Sequence, residues 1–126
     1  MKRYHYDMPK IAPKNASEVA IQAACKKRVE SEFDALFAAI PNGGKRSFYG
    51  QRLIKQEGVK KGMVDAVIVG GPKNPGKVAF CEFKAGTSLS MEQGILLADL
   101  AAAGHDVGVF RSSETLSAWL IQKGWK

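Results

Sequence analysis

Two short apolar runs, Val64–Val69 and Val78–Phe83, set the tightest limit on what this chain can fold into. They are separated by a linker of Gly, Pro, Asn and Lys. Within it, Gly70-Gly71-Pro72 and Asn74-Pro75-Gly76 are turn-forming sequences, because glycine supplies positive φ and proline presets the first turn position. The pattern predicts two strands joined as a long hairpin. In the simplest register Val69 faces Val78, Val67 faces Phe80 and Asp65 faces Glu82. A slip of one residue would break that pairing. Val-Ala-Phe-Cys-Glu-Phe is apolar on both faces, which suits a central strand covered on both sides.

Three charges interrupt the pair: Asp65, Glu82 and Lys84. Glu82 and Lys84 are two residues apart and project from one face of their strand, about 7 Å from each other along it. If Asp65 faces Glu82, their Cβ atoms lie about 4.5–5.5 Å apart, an arrangement that is repulsive on its own. A divalent cation between them removes the repulsion, since a hard cation such as Mg²⁺ takes oxygen ligands. Lys84 then adds a fixed positive charge beside the metal, and the set suits hydrolysis of a phosphodiester. The bland alternative is a surface ion pair between Glu82 and Lys84, worth about 0–1 kcal/mol. Against it stands the apolar strand: a charge buried on both faces needs a partner or a metal.

At 126 residues, with 25% charged and 45% hydrophobic side chains, the chain is expected to form one globular domain. Lys and Arg outnumber Asp and Glu by 19 to 12, a net charge of +7. That favours an anionic partner, and nucleic acid over membrane, since no long apolar run or basic amphipathic anchor is present. Cys25 and Cys81 lack metal-ligand spacing and read as buried free thiols of a reducing compartment. His5 and His105 have no ligand partners nearby in sequence. No targeting segment is visible, so a cytoplasmic location is expected. Residues 1–14 read as a basic N-terminal arm, ordered only if something holds it. Residues 15–126 form the single domain.

Asn15 is expected to open a helix, with Glu18 as its capping-box partner. Glu18, Gln22, Cys25, Val29, Phe33 and Leu36 share a narrow arc at 100° per residue, so Glu18 is either a cap or a third acid aimed at the metal. Leu36–Ile40 fits a continued helix or a strand equally, and Pro41-Asn42-Gly43-Gly44 ends whichever forms. Gly43 and Gly44, followed by Lys45 and Arg46, let backbone approach a phosphate or simply make a turn. Ser47–Glu57 predicts a short helix. Lys45, Arg46, Arg52, Lys55, Lys60 and Lys61, against the single acid Glu57, form the densest positive segment. It is either a solvated face or a phosphate-binding surface. Further on, Ser90 caps a helix from Met91 to about Ala103, with Gln93 placed to close a capping box. His105–Phe110 predicts a strand, and Ser112 or Ser113 caps a last helix. The order of elements makes an α/β domain with a mixed sheet.

With these residues in view, the chain resembles the VRR-NUC family, the virus-type replication-repair nucleases of the PD-(D/E)xK superfamily. The resemblance runs from about Ser17 to the last helix. It rests on S-E-V-A-I-Q at 17–22, I-P-N-G-G-K-R at 40–46 and R-L-I-K-Q-E-G-V-K-K-G at 52–62. Asp65, E-F-K at 82–84, L-S-M-E-Q at 89–93 and A-G-H-D-V-G-V after them continue it. One departure is visible. Members usually carry proline before the acid, where this chain has Val64; proline fixes backbone but donates no ligand.

The resemblance implies a restriction-endonuclease-like core, a mixed sheet flanked by helices, in which residues around Phe37–Ile40 form the first strand. It implies that Asp65, Glu82 and the main-chain carbonyl of Phe83 bind Mg²⁺ or Mn²⁺, with Glu18 joining directly or through water. Lys84 would orient the attacking water or stabilise the transition state, and Gln93 would border the site and hold Lys84 or a phosphate. Gly43, Gly44, Lys45 and Arg46 look like a substrate-binding loop. Small stand-alone members resemble phage-encoded enzymes that pair as homodimers and cut four-way (Holliday) junctions. The expected activity is therefore a metal-dependent, structure-selective DNA endonuclease in the cytoplasm of a phage host. A nuclease for flaps or other DNA structures, or a branched-DNA-binding module that does not cut, is the alternative.

Overall fold

The hairpin forms in the expected register. In the computed structural model, which describes residues 3–41, 58, 60 and 62–126, Val69 faces Val78, Val67 faces Phe80 and Ala66 faces Cys81. The expected helix Ser47–Glu57 lies outside the described residues, as does all of the basic segment except Lys60.

The described elements run β1 (His5–Tyr6), a 3₁₀ turn (Pro9–Ile11), α1 (Glu18–Glu32), β2 (Ala35–Ala39), β3 (Ala66–Gly70), β4 (Val78–Phe83), α2 (Met91–Ala102), β5 (Asp106–Phe110) and α3 (Ser113–Gln122). The sheet order is β1-β5-β4-β3-β2. β2, β3 and β4 pair antiparallel, whereas β4–β5 and β1–β5 are parallel. The β4–α2–β5 crossover is what a parallel pair requires. This is the mixed α/β sheet expected. Among the described residues, no helix is long and apolar enough to cross a membrane.

Both faces of β4 are covered. On one face α1 and α3 bring Ile21, Cys25, Val29, Leu116, Trp119 and Leu120 against Ile68, Cys81 and Phe83. On the other, Leu97 and Ala101 of α2 pack with Val64, Val107 and Val109. The two-sided apolar pattern of residues 78–83 has this cause. Cys25 and Cys81 are buried free thiols, and burial pushes Cys25 up to about 12 and Cys81 well above the usual thiol range.

Three expectations need correction. The cap of α1 is Ser17, whose Oγ accepts from Ala20 N at 3.1 Å, and not Asn15, which has φ +62°. Glu18 is thus the first helical residue and closes no capping box with Asn15. The arc of residues 18 to 36 does not hold as one face either. Phe33 is the C-cap, with extended backbone, and from Ala35 the period changes from 3.6 to 2. Phe37 is therefore buried while Leu36 is 67% exposed. Finally, the N-terminal segment is part of the sheet, since His5 and Tyr6 pair with Gly108 and Val109 of β5.

Candidate active site

The residues that place Asp65 do so by packing. Val64, standing where a proline was expected, is fully buried against Leu97, Ala101, Val107 and Val109. Hydrophobic burial anchors the backbone here where a ring would otherwise stiffen it. Just beyond, Asp65 O accepts from Ile40 N at 2.7 Å, and Asp65 Oδ2 accepts from Phe83 N at 2.8 Å. The carboxylate is thereby set over the Glu82–Phe83 peptide. The pairing of Ala66 with Cys81 puts Asp65 across from Glu82.

Glu82 is 2% exposed, deep in the layer between the helices. Gln93 Nε2 reaches its Oε1 in a long contact of 3.4 Å, and Oε2 has no hydrogen-bond partner among the described residues. Its carboxyl is pushed up to about 9. Burial is the first cause. Asp65 is the second, since as an acceptor it favours the protonated form and as a like charge it disfavours the ionised one. Lys84 opposes the shift and Glu18 adds to it.

Lys84 leaves the same end of β4 with its side chain only 12% exposed, its Nζ 3.8 Å from Glu18 Oε1. Glu18, projecting from the first turn of α1, thus meets the lysine. Gln93 belongs to the capping box of α2: Ser90 Oγ accepts from Gln93 N at 3.2 Å, and Gln93 Oε1 accepts from Ser90 N at 3.0 Å. Its capping and site-bordering roles coexist, because Oε1 serves the helix while Nε2 points at Glu82. Gly62, with φ +79°, lets the loop before Asp65 run close to this helix start. A Cβ there would stand 3.3 Å from Glu92 Cβ.

The fold therefore brings together Glu18, Asp65, Glu82, Lys84 and Gln93 from two helices and two adjacent strands. Among the described residues, no three His, Cys, Asp or Glu side chains form a ready-made metal cage. The donor set nevertheless suits a hard cation. Two opposed carboxylates, one with an orphaned buried oxygen, are what Mg²⁺ takes when substrate phosphate and water complete its shell. Of the expected DNA-binding residues, Lys60 is exposed beside a 220 Å³ cleft shared with Glu92 and Asp99. Gly43, Gly44, Lys45, Arg46, Arg52, Lys55 and Lys61 lie outside the described residues.

Sequence reasoning did not find the buried polar group behind the site. Arg111 is fully buried and Asp7 3% exposed. Arg111 Nε donates to Asp7 O at 2.8 Å, Nη2 to Tyr6 Oη at 2.9 Å and Nη1 to Ala85 O, the residue after Lys84. An arginine directly after the apolar run Val-Gly-Val-Phe was the visible signal, but two of its three side-chain partners, Tyr6 and Asp7, lie more than a hundred positions away in the arm. Compared with protein-family models, curated proteins and solved structures, the chain matches none.

Proposed function

We propose that this chain is a metal-dependent, structure-selective DNA endonuclease of the VRR-NUC type with a restriction-endonuclease-like core, acting on four-way junctions as a homodimer. One observation carries the proposal. Asp65 and Glu82 stand opposed at the ends of adjacent central strands, with Lys84 beside them and one Glu82 oxygen buried without a partner among the described residues. Retaining an unsatisfied buried carboxylate costs stability that a purely structural sheet would not carry.

Asp65 and Glu82 would hold Mg²⁺ or Mn²⁺, with the Phe83 carbonyl as a third donor. Such an ion supplies a water of lowered pKa and neutralises charge on phosphate. Lys84 places an ammonium where negative charge develops on the scissile phosphate, and its low exposure limits screening by water. Glu18 steers that ammonium and shares its charge. Gln93, locked at the start of α2, offers an amide N–H to Glu82 and keeps the carboxylate turned to the site. The net charge of +7 favours approach of a polyanion.

The test incubates purified protein with end-labelled four-way junction, flap and linear duplex, each with Mg²⁺, Mn²⁺ or EDTA, and with Lys84→Ala alongside. Paired symmetric cuts in the junction are expected, dependent on metal. Lys84→Ala should lower cleavage about 10²–10³-fold while leaving junction binding within a few-fold. Cleavage of flap or duplex instead would move the substrate. Binding without cleavage under either metal would leave a DNA-binding module and end the enzyme proposal.

A further inference from the structure

We infer that Arg111 is a positioning residue that fastens the N-terminal segment to the residue directly after Lys84, so that residues Tyr6 and Asp7 help to hold the active-site lysine in place. The inference rests on the nuclease proposal for its catalytic consequence, though not for its geometry.

Arg111 follows Phe110, the last residue of β5. Burying a guanidinium is tolerated only where its donors are met and a counter-charge is near. Here the donors go to three acceptors in two chain segments: the Tyr6 hydroxyl and the Asp7 carbonyl in the N-terminal segment, and the Ala85 carbonyl beyond β4. The Tyr6 ring also lies 5.4 Å from the guanidinium carbon. Asp7 is the nearby carboxylate. Its Oδ2 accepts from Arg111 N at 2.9 Å and from Thr115 Oγ1, and its Oδ1 lies 2.7 Å from His5 Nε2.

The β4–β5 ladder ends at the pair Phe83–Phe110. Beyond it, Lys84 N bonds Phe110 O at 3.2 Å, and the Arg111 fork takes the next carbonyl, Ala85. A Cβ on Gly86 would meet nothing within 4 Å. The fork is therefore the last described attachment of this strand end before the chain enters open space. Lysine has four rotatable bonds and no geometric fork of its own, so the precision of its ammonium depends on how firmly its backbone is held.

The experiment compares wild type with Arg111→Lys, which keeps the charge and loses the fork, and Tyr6→Phe, which deletes only the hydroxyl. Ile68→Ala, a buried core change on β3, two strands away from β5, serves as the control for stability loss alone. Two readouts are taken: kcat and KM on the junction, and amide exchange at residues 84–86 in the metal-loaded full chain. Arg111→Lys is expected to lower kcat about 10–100-fold with KM nearly unchanged, and to speed exchange at 84–86 about tenfold or more. Tyr6→Phe should move both in the same direction by less. Ile68→Ala should lower Tm without a selective change at 84–86. If Arg111→Lys behaves like Ile68→Ala, or if exchange at 84–86 stays at the wild-type rate, the positioning role is overturned. Should Arg111→Lys fail to fold, Tyr6→Phe decides by the same readouts. A wild type that cuts no substrate removes the nuclease proposal, and the exchange readout alone then confirms or refutes the clamp.

Discussion

Glu82 holds a carboxyl out of water, with one oxygen in a long contact and the other without a partner among the described residues. Its pKa, raised to about 9 from an ordinary 4.5, fixes the sign of its effect on stability. Below 4.5 the carboxyl is protonated in both folded and unfolded chains. Between 4.5 and about 9 the folded chain retains a proton that the unfolded chain has released, so stability falls as pH rises through this window. In EDTA, Glu82→Gln should therefore be more stable than wild type by about 1–2 kcal/mol at pH 8. The gap should shrink towards pH 5, as thermal melts at several pH values would reveal. Added Mg²⁺ or Mn²⁺ should raise the wild-type Tm and leave that of the variant unmoved. Parallel pH profiles for the two proteins would contradict the burial argument. The identity of this residue was legible in the sequence, as an acid inside a strand apolar on both faces. Its unsatisfied oxygen was not, because satisfaction depends on what α2 presents from across the sheet.

At the scale of elements, α2 links helix capping to the site through Gln93. Ser90→Ala removes the acceptor for Gln93 N and should cost about 1 kcal/mol. It should also lower cleavage more than that cost implies, because the Gln93 amide loses its anchor; a melt and a single-turnover assay measure the two effects. On the far side of β5, Gly108 pairs with His5. A Cβ there would stand 2.7 Å from Phe110 Cζ and 2.9 Å from His5 Cβ. Both atoms belong to packed groups, since the His5 ring stacks on Phe110 with centroids 5.0 Å apart. Gly108→Ala should thus destabilise by about 1–3 kcal/mol and free the N-terminal segment, detectable as faster proteolysis before residue 8. The hairpin and α2 were legible because turn residues and capping residues are local signals. The switch from α1 to β2 was not, since Leu36–Ile40 fits either period and pairing with β3 decides between them.

At the scale of the whole molecule, the Asp7–Arg111 group joins the first and last elements of the fold. Burial opposes ionisation of Asp7, but hydrogen bonds from His5, Thr115 and the Arg111 backbone outweigh it and hold its carboxyl below the ordinary 3.8. A lowered pKa contributes stability that is present above 3.8 and lost as pH falls through the folded value. Acid unfolding should accordingly begin with release of the arm. Asp7→Asn should be less stable than wild type at pH 6 by about 1–3 kcal/mol, the cost of breaking a buried network. That difference should narrow as pH falls through the folded value, where wild type loses the same charge. Circular dichroism melts between pH 2.5 and 6 test this directly, and a constant gap would show that the ionised form is not what holds the arm.

The sequence by itself determined the hairpin and its register, the central place of residues 78–83, the capped start of α2 and the candidate group of Asp65, Glu82 and Lys84 at the strand ends. Each follows from patterns within a few residues: alternation, turn-forming sequences, a cap, a charge on an oily strand. Only the tertiary structure decided that Glu18 meets Lys84, that Val64 anchors Asp65 by burial and that the N-terminal segment belongs to the sheet. The fork of Arg111 that ties this segment to the strand end was likewise a tertiary matter. The reason is physical. Burial and hydrogen-bond satisfaction are properties of surfaces brought together from distant positions, and no local period or propensity encodes which distant acceptor a buried donor will find.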